Sequence, residues 1–409
     1  MRTLRFLLIG LALAGFSLAA AEEKPSVRPE VGKPIQAAVE LLKTRRGKEA
    51  LAKAREAQAV GGKSAYETLI VDQVIGQAAA AAGEASTAAR AFEAAAGNSA
   101  APESQRRQFL AAAAGQYYVA KDYGRAADVA GRYSREGGGD RAVRSIHAQA
   151  LYLSNNFAAA AKVLAADIEA EERAGKAPTE EQLQLLANAY QQQRESAGYV
   201  RTLEKLVAHY PKKDYWLSLL HGIVTRPGYS ERLAVDVARL KLATGTLRTA
   251  TEYVEAAQLS LQDGFPMEAS QIIELGYGAG LLGTGAEAER HKRLKDMAAK
   301  NLAEDKKALA QDEAQSGNAK DGKTLFNEGY NYVLHGNFNK GLAMMEKGLK
   351  LDTGFRRPEH AKLQLAHAYH LAGQKQKAIQ IYRTVQGNDG AASIARLWIV
   401  RLSRNGSAA

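Results

Sequence analysis

Cysteine is absent from the 409 residues, which excludes disulfides, thiolate metal sites and cysteine nucleophiles, as well as the lipid-acceptor cysteine that would follow a lipoprotein signal peptide. Proline is scarce, at 9 residues, and nothing sustains the period-two alternation of β-branched side chains that a sheet needs. Long apolar runs are missing beyond the N-terminus, so no later segment is suited to cross a bilayer as a helix. No G-x-S-x-G, P-loop or H-E-x-x-H pattern occurs, and no cofactor is implied. What fills the chain instead is Ala, Leu, Gln, Glu, Lys and Arg, the residues that lose least on entering a helix.

The first residues read as a secretory signal peptide. Arg2 and Arg5 supply a positive start, Phe6 to Leu18 an apolar stretch too short to span a bilayer comfortably, and Ala19-Ala20-Ala21 a small-residue cleavage pattern. Cleavage is placed after Ala21, and a periplasmic location follows if the source is Gram-negative. The formal charge is +11, with Lys and Arg interspersed among Asp and Glu. A basic balance favours anionic partners, but export argues against nucleic acid.

Small and bulky residues recur on a fixed ruler. Near the C-terminus Ala366 precedes Tyr369, Gly373 follows at a turn, and Ala378 precedes Tyr382. Small residues let two helices approach closely while the aromatics fill the space beside them. Gly329, Tyr332, Gly336, Phe338, Gly341 and Met345 repeat the pattern 37 residues earlier. Weaker copies run upstream: Gly76, Gly83, Ala88 and Phe92; Ala114, Tyr117, Tyr123 and Ala126; Ala148, Leu151, Phe157, Ala160 and Leu164; Ala187, Tyr190 and Leu203, closed by Pro211; and Ala257, Gly264, Ala269 and Ile273. Degenerate copies fall at 35–60 and 215–244.

This spacing resembles the tetratricopeptide repeat, a helical hairpin of about 34 residues. The resemblance implies an all-α fold, a right-handed α-solenoid of such hairpins. The chain is also similar to a largely uncharacterised group of exported bacterial tetratricopeptide proteins, on Val27-Arg28-Pro29-Glu30-Val31-Gly32-Lys33-Pro34 and on Tyr210-Pro211-Lys212-Lys213-Asp214-Tyr215-Trp216. Some members of that group accompany TonB-type envelope systems. The expected organisation is a signal peptide at 1–21, an extended segment at 22–34 and a helical array at 35–285. A charged helix and flexible linker at 286–322 follow, then a C-terminal repeat pair at 323–405 and a tail at 406–409.

Two patterns invite chemistry. Gly278-Ala279-Gly280-Leu281-Leu282-Gly283 has the letters of a dinucleotide fingerprint, but a helical stretch precedes it where a strand is required, so it reads as a loop. His360, His367 and His370 share a helical stripe and are candidates for a metal site, a pH switch or simple groove lining. Nearly the whole chain is spent on repeats, which leaves no length for a separate catalytic domain.

In the tetratricopeptide fold the first helix of each hairpin lines a concave wall. Carried onto this chain, that rule selects Gln73, Gln77, Tyr118, Gln149, Tyr152, Gln184, Asn188, Gln191, Gln258, Phe326, Tyr330, His360, His367 and His370. The set is rich in amides, which both donate to and accept from a peptide backbone, and in tyrosines. The expected function is an envelope scaffold, not an enzyme, that binds a protein or peptide partner. A metal-binding or enzymatic protein using the His stripe is one alternative, and a charge-driven binder of anionic lipid or polysaccharide is another.

Overall fold

The computed structural model describes residues 26–314, 321–351 and 355–403. The signal-peptide reading, the linker loop around Gly317 and the tail at 406–409 lie outside the described residues. Among them the chain is all-α, with twenty α-helices, one short 3-10 turn at Glu231–Leu233 and no strand. The helices pair into tetratricopeptide-like hairpins, and the chain divides into two compact units at Val163/Leu164.

Unit 1 contains three full hairpins: α1 (Pro29–Lys43) with α2 (Gly47–Ala59), α3 (Ala65–Ala82) with α4 (Ala85–Gly97), and α5 (Glu103–Val119) with α6 (Tyr123–Arg135). It ends with α7 (Arg141–Leu153) and the first residues of α8 (Phe157–Arg173), the helix in which the boundary falls. Unit 2 continues with α9 (Glu180–Gln192) and α10 (Ser196–His209), α11 (Lys213–Val224) and α12 (Ala234–Thr244), and α13 (Ala250–Gln262) and α14 (Pro266–Gly278). A single helix, α15 (Ala288–Ala314), leads to α16 (Gly322–Leu334) and α17 (Phe338–Leu351), α18 (Pro358–Leu371) and α19 (Lys375–Tyr382), and finally α20 (Ala391–Ser403).

The small residues of the ruler sit where paired helices meet. Ala88, Ala114, Ala126, Ala148, Ala160, Ala257, Ala269, Ala366 and Ala378 are all buried. Between α16 and α17 backbone meets backbone, and a Cβ added to Gly329 would lie 2.7 Å from the Gly341 carbonyl oxygen. A Cβ on Gly76 would lie 2.6 Å from the Phe92 ring, so a sequence glycine there is a steric necessity. Beside these contacts Tyr117, Tyr369 and Tyr382 fill the remaining space. The Tyr117 hydroxyl donates a hydrogen bond to Glu93 (2.7 Å) and that of Tyr369 to Glu346.

Eight hairpin turns are built alike. A residue in the left-handed region ends the first helix: Arg45, Gly83, Lys121, Asn155, Arg194, Gly264, Gly336 or Gly373, with φ between 57° and 83°. The next residue then donates its N–H back to a carbonyl five positions earlier, as from Asp122 to Tyr117 (2.9 Å) and from Gln374 to Tyr369 (2.9 Å). This is the Schellman closure, which satisfies carbonyls that the helix end would otherwise strand. Half of these turns lack glycine, which is why glycine spacing alone traced only half of them.

Two boundaries differ from the sequence expectation. The stretch read as extended to residue 34 is helical from Pro29, with Pro34 inside α1. Pro29 occupies a first-turn position where no N–H is missed. Burial of Val31 and Ile35 on one face offsets the hydrogen bond that Pro34 cannot make. The helix start is fixed by Glu67 at the head of α3, which accepts from the Arg28 backbone N–H (2.9 Å) and from its guanidinium (3.0 Å) while closing a capping box with Ser64. These donors, the Arg28 guanidinium foremost, bring the Glu67 carboxyl down to about 2. The second difference concerns α15. Although charged along most of its length, it packs against α13 and α14, burying Leu294 and Ala298 beside Ile272 and Ile273. Its thin apolar stripe is enough to make it part of unit 2, so the compact units do not divide at 286–322.

Lys121 is exposed, so its substitution removes no packing. An L-residue in the left-handed region is disfavoured by roughly 1–2 kcal/mol, and glycine escapes that while losing part of the gain to unfolded-chain entropy. Lys121→Gly should therefore stabilise unit 1 by about 0.5–1 kcal/mol and Lys121→Val should destabilise it, as read by urea unfolding followed by circular dichroism.

Candidate functional site

In unit 1 the first helices of successive hairpins lie side by side, α1 with α3 and α5 with α7. Gln73 and Gln77 on α3 are half-buried. Tyr118 on α5 donates its hydroxyl to Gln149 Oε1 on α7 (2.8 Å), and Gln149 Nε2 in turn donates to Ser145 Oγ (3.1 Å). Tyr118 meets Tyr123 edge-on at 5.6 Å and Tyr152 meets Phe157 at 5.2 Å, the same pairing one hairpin apart. The structure thus brings Tyr118 and Gln149 together and spends their polar atoms largely on each other.

In unit 2 the wall on α9 is open. Gln184, Asn188 and Gln191 are exposed and follow one another at helical spacings of four and three, which places them on one stripe. Gln184 Nε2 donates to the hydroxyl of Tyr215 on α11 (2.5 Å), and that hydroxyl donates to Glu180, which also pairs with Lys212 (2.6 Å). The lysine and tyrosine donors hold the Glu180 carboxyl below the usual carboxylate range. Asn188 and Gln191 make no side-chain hydrogen bond to any described residue, so their amides face solvent with donor and acceptor unspent. Gln258, on α13, is half-buried.

The C-terminal candidates sit differently. Phe326, Tyr330 and His367 are buried rather than arrayed on an open wall. The rule that selected them presumes that nothing covers the first helices, whereas in unit 2 the C-terminal hairpins face other helices of the same unit. Tyr330 lies edge-on to Phe265 at the head of α14 (4.8 Å), and its hydroxyl is 2.8 Å from His367 Nδ1. The Arg239 guanidinium from α12 lies 5.1 Å from the Tyr330 ring centre. That guanidinium grips Glu268 through two hydrogen bonds, 2.8 and 2.9 Å, and reaches Asp236 at 3.2 Å; Ser260 adds a bond to Glu268 (3.1 Å). Burial raises the Asp236 carboxyl and pushes the His367 imidazole well below its ordinary range. Arg239, Glu268 and Asp236 were not among the sequence candidates. The available signal was a pair of charges, Asp236 and Arg239, set among Val235, Val237, Ala238 and Leu240 where a helix has no polar face to offer.

The His stripe is not brought to a common point. His360 Nε2 pairs with Asp389 (2.8 Å), His367 Nδ1 faces Tyr330, and His370 leans on Trp398 with ring centres 5.3 Å apart. Among the described residues no group of three or more His, Asp or Glu side chains is placed to hold a metal ion. The glycine-rich letters at 278–283 form a loop after α14 whose amides are already used. Gly280 donates to Tyr277, Leu281 and Leu282 donate to Gly276, and Gly283 donates to His291 Nδ1 (3.2 Å).

No known protein family and no curated protein matches the chain. Solved structures similar to it include the TPR2AB domain of yeast Sti1 in a structure titled as its pHSP90 complex, at 13% identity, 73% of this chain, 99% of that chain and a TM-score of 0.24. The TPR domain of P58(IPK) aligns at 12% identity over 92% of this chain and 98% of that one, with a TM-score of 0.25. Yeast Tom70 aligns at 10% identity over 89% and 94%, with a TM-score of 0.25. Likeness at this level bears on neither partner nor function.

Both tryptophans, Trp216 and Trp398, belong to unit 2, so their fluorescence reports that unit alone. Arg239→Met removes the cation bound to buried Glu268, and breaking such a pair costs about 3–5 kcal/mol. The tryptophan transition in urea should move to lower denaturant by that amount, while the part of the circular-dichroism transition arising from unit 1 stays in place.

Proposed function

We propose that this chain is an interaction scaffold, without catalytic activity of its own, that holds an extended segment of a partner protein against the first-helix wall of its hairpins. One observation carries the reading: Asn188 and Gln191 stand exposed on α9 with no partner within the described residues, in line with Gln184, which bonds Tyr215. An extended peptide presents alternating N–H and C=O groups, and side-chain amides serve both. The exposed stripe costs the fold nothing to maintain and gains hydrogen bonds only when a ligand lies along it. Tyr215, held by Gln184 and Glu180, supplies a rigid aromatic edge with little rotamer entropy left to lose on binding.

The N-terminal pattern of Arg2, Arg5, an apolar stretch and Ala19-Ala20-Ala21 supports export, and with it a periplasmic working place. The similarity of Val27–Pro34 and Tyr210–Trp216 to exported bacterial tetratricopeptide proteins supports an envelope partner, with TonB-type systems as the first candidates.

Peptides selected from a random display library on the purified chain, then titrated against it and against Gln184→Ala/Asn188→Ala/Gln191→Ala, test this directly. Each lost hydrogen bond is worth about 0.5–1.5 kcal/mol, so the triple variant should bind at least about tenfold more weakly with an unchanged helical spectrum. Affinity should also change little with added salt, since the contacts are neutral. Equal affinity for the triple variant, or binding abolished by moderate salt, would count against the amide stripe.

A further inference from the structure

Within unit 2 the C-terminal helices fold back on the middle ones. Helix α20 packs against α10 and α12. Around the edge of this contact Arg396 pairs with Glu204 (3.3 Å), Arg401 donates to the Ala243 carbonyl (3.2 Å), Arg357 donates to Ser230 Oγ (2.6 Å), and the Ser230 N–H donates to the Asp389 carbonyl (2.9 Å). The edge is polar and exposed, so each contact there contributes little. The centre is the run from Glu268 and Arg239 through Tyr330 to His367, which continues through Trp398 to His370 and Tyr382. The middle helices supply the first two side chains and the C-terminal helices all the others.

We propose that the C-terminal hairpins are a releasable latch, held on the middle helices while His367 and His370 are neutral and freed when these imidazoles take up protons. The groups around them give the direction. Arg239 faces His367 from α12 and His370 faces it from its own helix; Tyr330 comes from α16 and is itself faced by Asp236, Asp263 and Glu268 from α12, the end of α13 and α14, and Tyr382 comes from α19. Arg401 from α20 faces His370. Two cations, Arg239 and Arg401, thus look at the two imidazoles. The carboxylates of Glu268 and Asp236 are bound by Arg239, and neither forms an ion pair with His367 or His370 among the described residues. With the His367 ring neutral its Nδ1 can accept from the Tyr330 hydroxyl, whereas a protonated ring can only donate there. His335 and His360, by contrast, pair with Asp305 and Asp389, and Asp236 on α12 also faces His360. The first of these pairs ties α16 to α15, which itself packs on α13 and α14, and the second joins α18 to the loop before α20, so neither lies in the run from Arg239 to Tyr382.

Burial lowers the proton affinity of both imidazoles, most at His367. Docking is therefore at full strength above the free-histidine value of about 6.5 and weakens progressively as pH falls toward the docked values. Release uncovers Tyr330, Phe265 and Trp398 together with the Arg239 guanidinium, a surface of aromatic faces and one cation that is closed to partners while the latch is on.

Hydrogen exchange of the full chain at about pH 7.5 and about pH 5.5, corrected for intrinsic exchange, tests the latch. Protection in α12, α16, α18 and α20 should fall by about tenfold or more at the lower pH while α1 to α7 hold theirs. His367→Gln, which keeps an acceptor for Tyr330 but cannot be charged, should abolish most of that response. If this variant loses its helical spectrum, His370→Gln should reduce the response instead. A response absent from the wild type, spread evenly over all helices, or undiminished in the folded variant would overturn the proposal.

Discussion

Two helices joined by a tight turn can lie against each other only if the side chains at their crossing are small, and this constraint sets the rest of the structure. Between α16 and α17 even a methyl group is too large, because the Gly329 and Gly341 backbones touch. At most of the other crossings alanine suffices, with Gly76 against the Phe92 ring an exception. Close approach brings backbone next to backbone and leaves gaps on either side, which Tyr117, Tyr369 and Tyr382 fill with one aromatic ring each. Each ring carries one hydroxyl into the interior, and those of Tyr117 and Tyr369 find carboxylates at the protein's edge. The same crossing fixes where the first helix must stop, and the left-handed closure follows at the same place eight times. Local geometry is reproduced so faithfully that four non-glycine residues accept a strained conformation to keep it.

Unit 2 shows what such a stack does when its end meets its own middle. A wall that would be open to partners is turned inward, and the charge there is contained by Arg239 bridging Glu268 and Asp236 beneath two aromatic rings. Buried ion pairs of this kind add little net stability compared with a hydrophobic filling of equal volume, but they penalise misplacement heavily. We read the cluster as setting the position of the C-terminal helices rather than strengthening their hold. That division of labour suits an interface that has to come apart. The face of α9 is left clear, and the difference between Asn188 in solvent and Tyr330 in the core separates a wall that is available from one that is occupied.

Most of the repeat frame was legible in the sequence because its cause is local and periodic. Ala366 and Tyr369, or Ala114 and Tyr117, announce a crossing and its filler within one helical turn. The turns at Lys121, Asn155 and Arg194 were not legible, since nothing in those residue types demands a positive φ; the tertiary crossing imposes it. Phe326, Tyr330 and His367 were assigned to an open wall because the offset rule knows a residue's place in its own hairpin and nothing of what lies across from it. The Arg239 cluster joins residues separated by 29 positions on α12 and α14 and touches Tyr330 far along the chain, a juxtaposition without a sequence period. The amide stripe of α9 was found because exposure on an unoccupied face requires only helical spacing.

The account stands or falls on the small-residue crossings, and the most direct measurement is a set of single Ala→Leu substitutions read by chemical unfolding. Leucine is nearly as good a helix former as alanine, so propensity drops out and only space is tested. At buried Ala88, Ala114, Ala148, Ala257 and Ala366 the change should cost about 1–3 kcal/mol by overpacking. At exposed Ala142 and Ala158 it should stay within about 0.5 kcal/mol. If leucine is tolerated equally at both kinds of position, the helices do not meet at these residues and the hairpin stack described above is wrong.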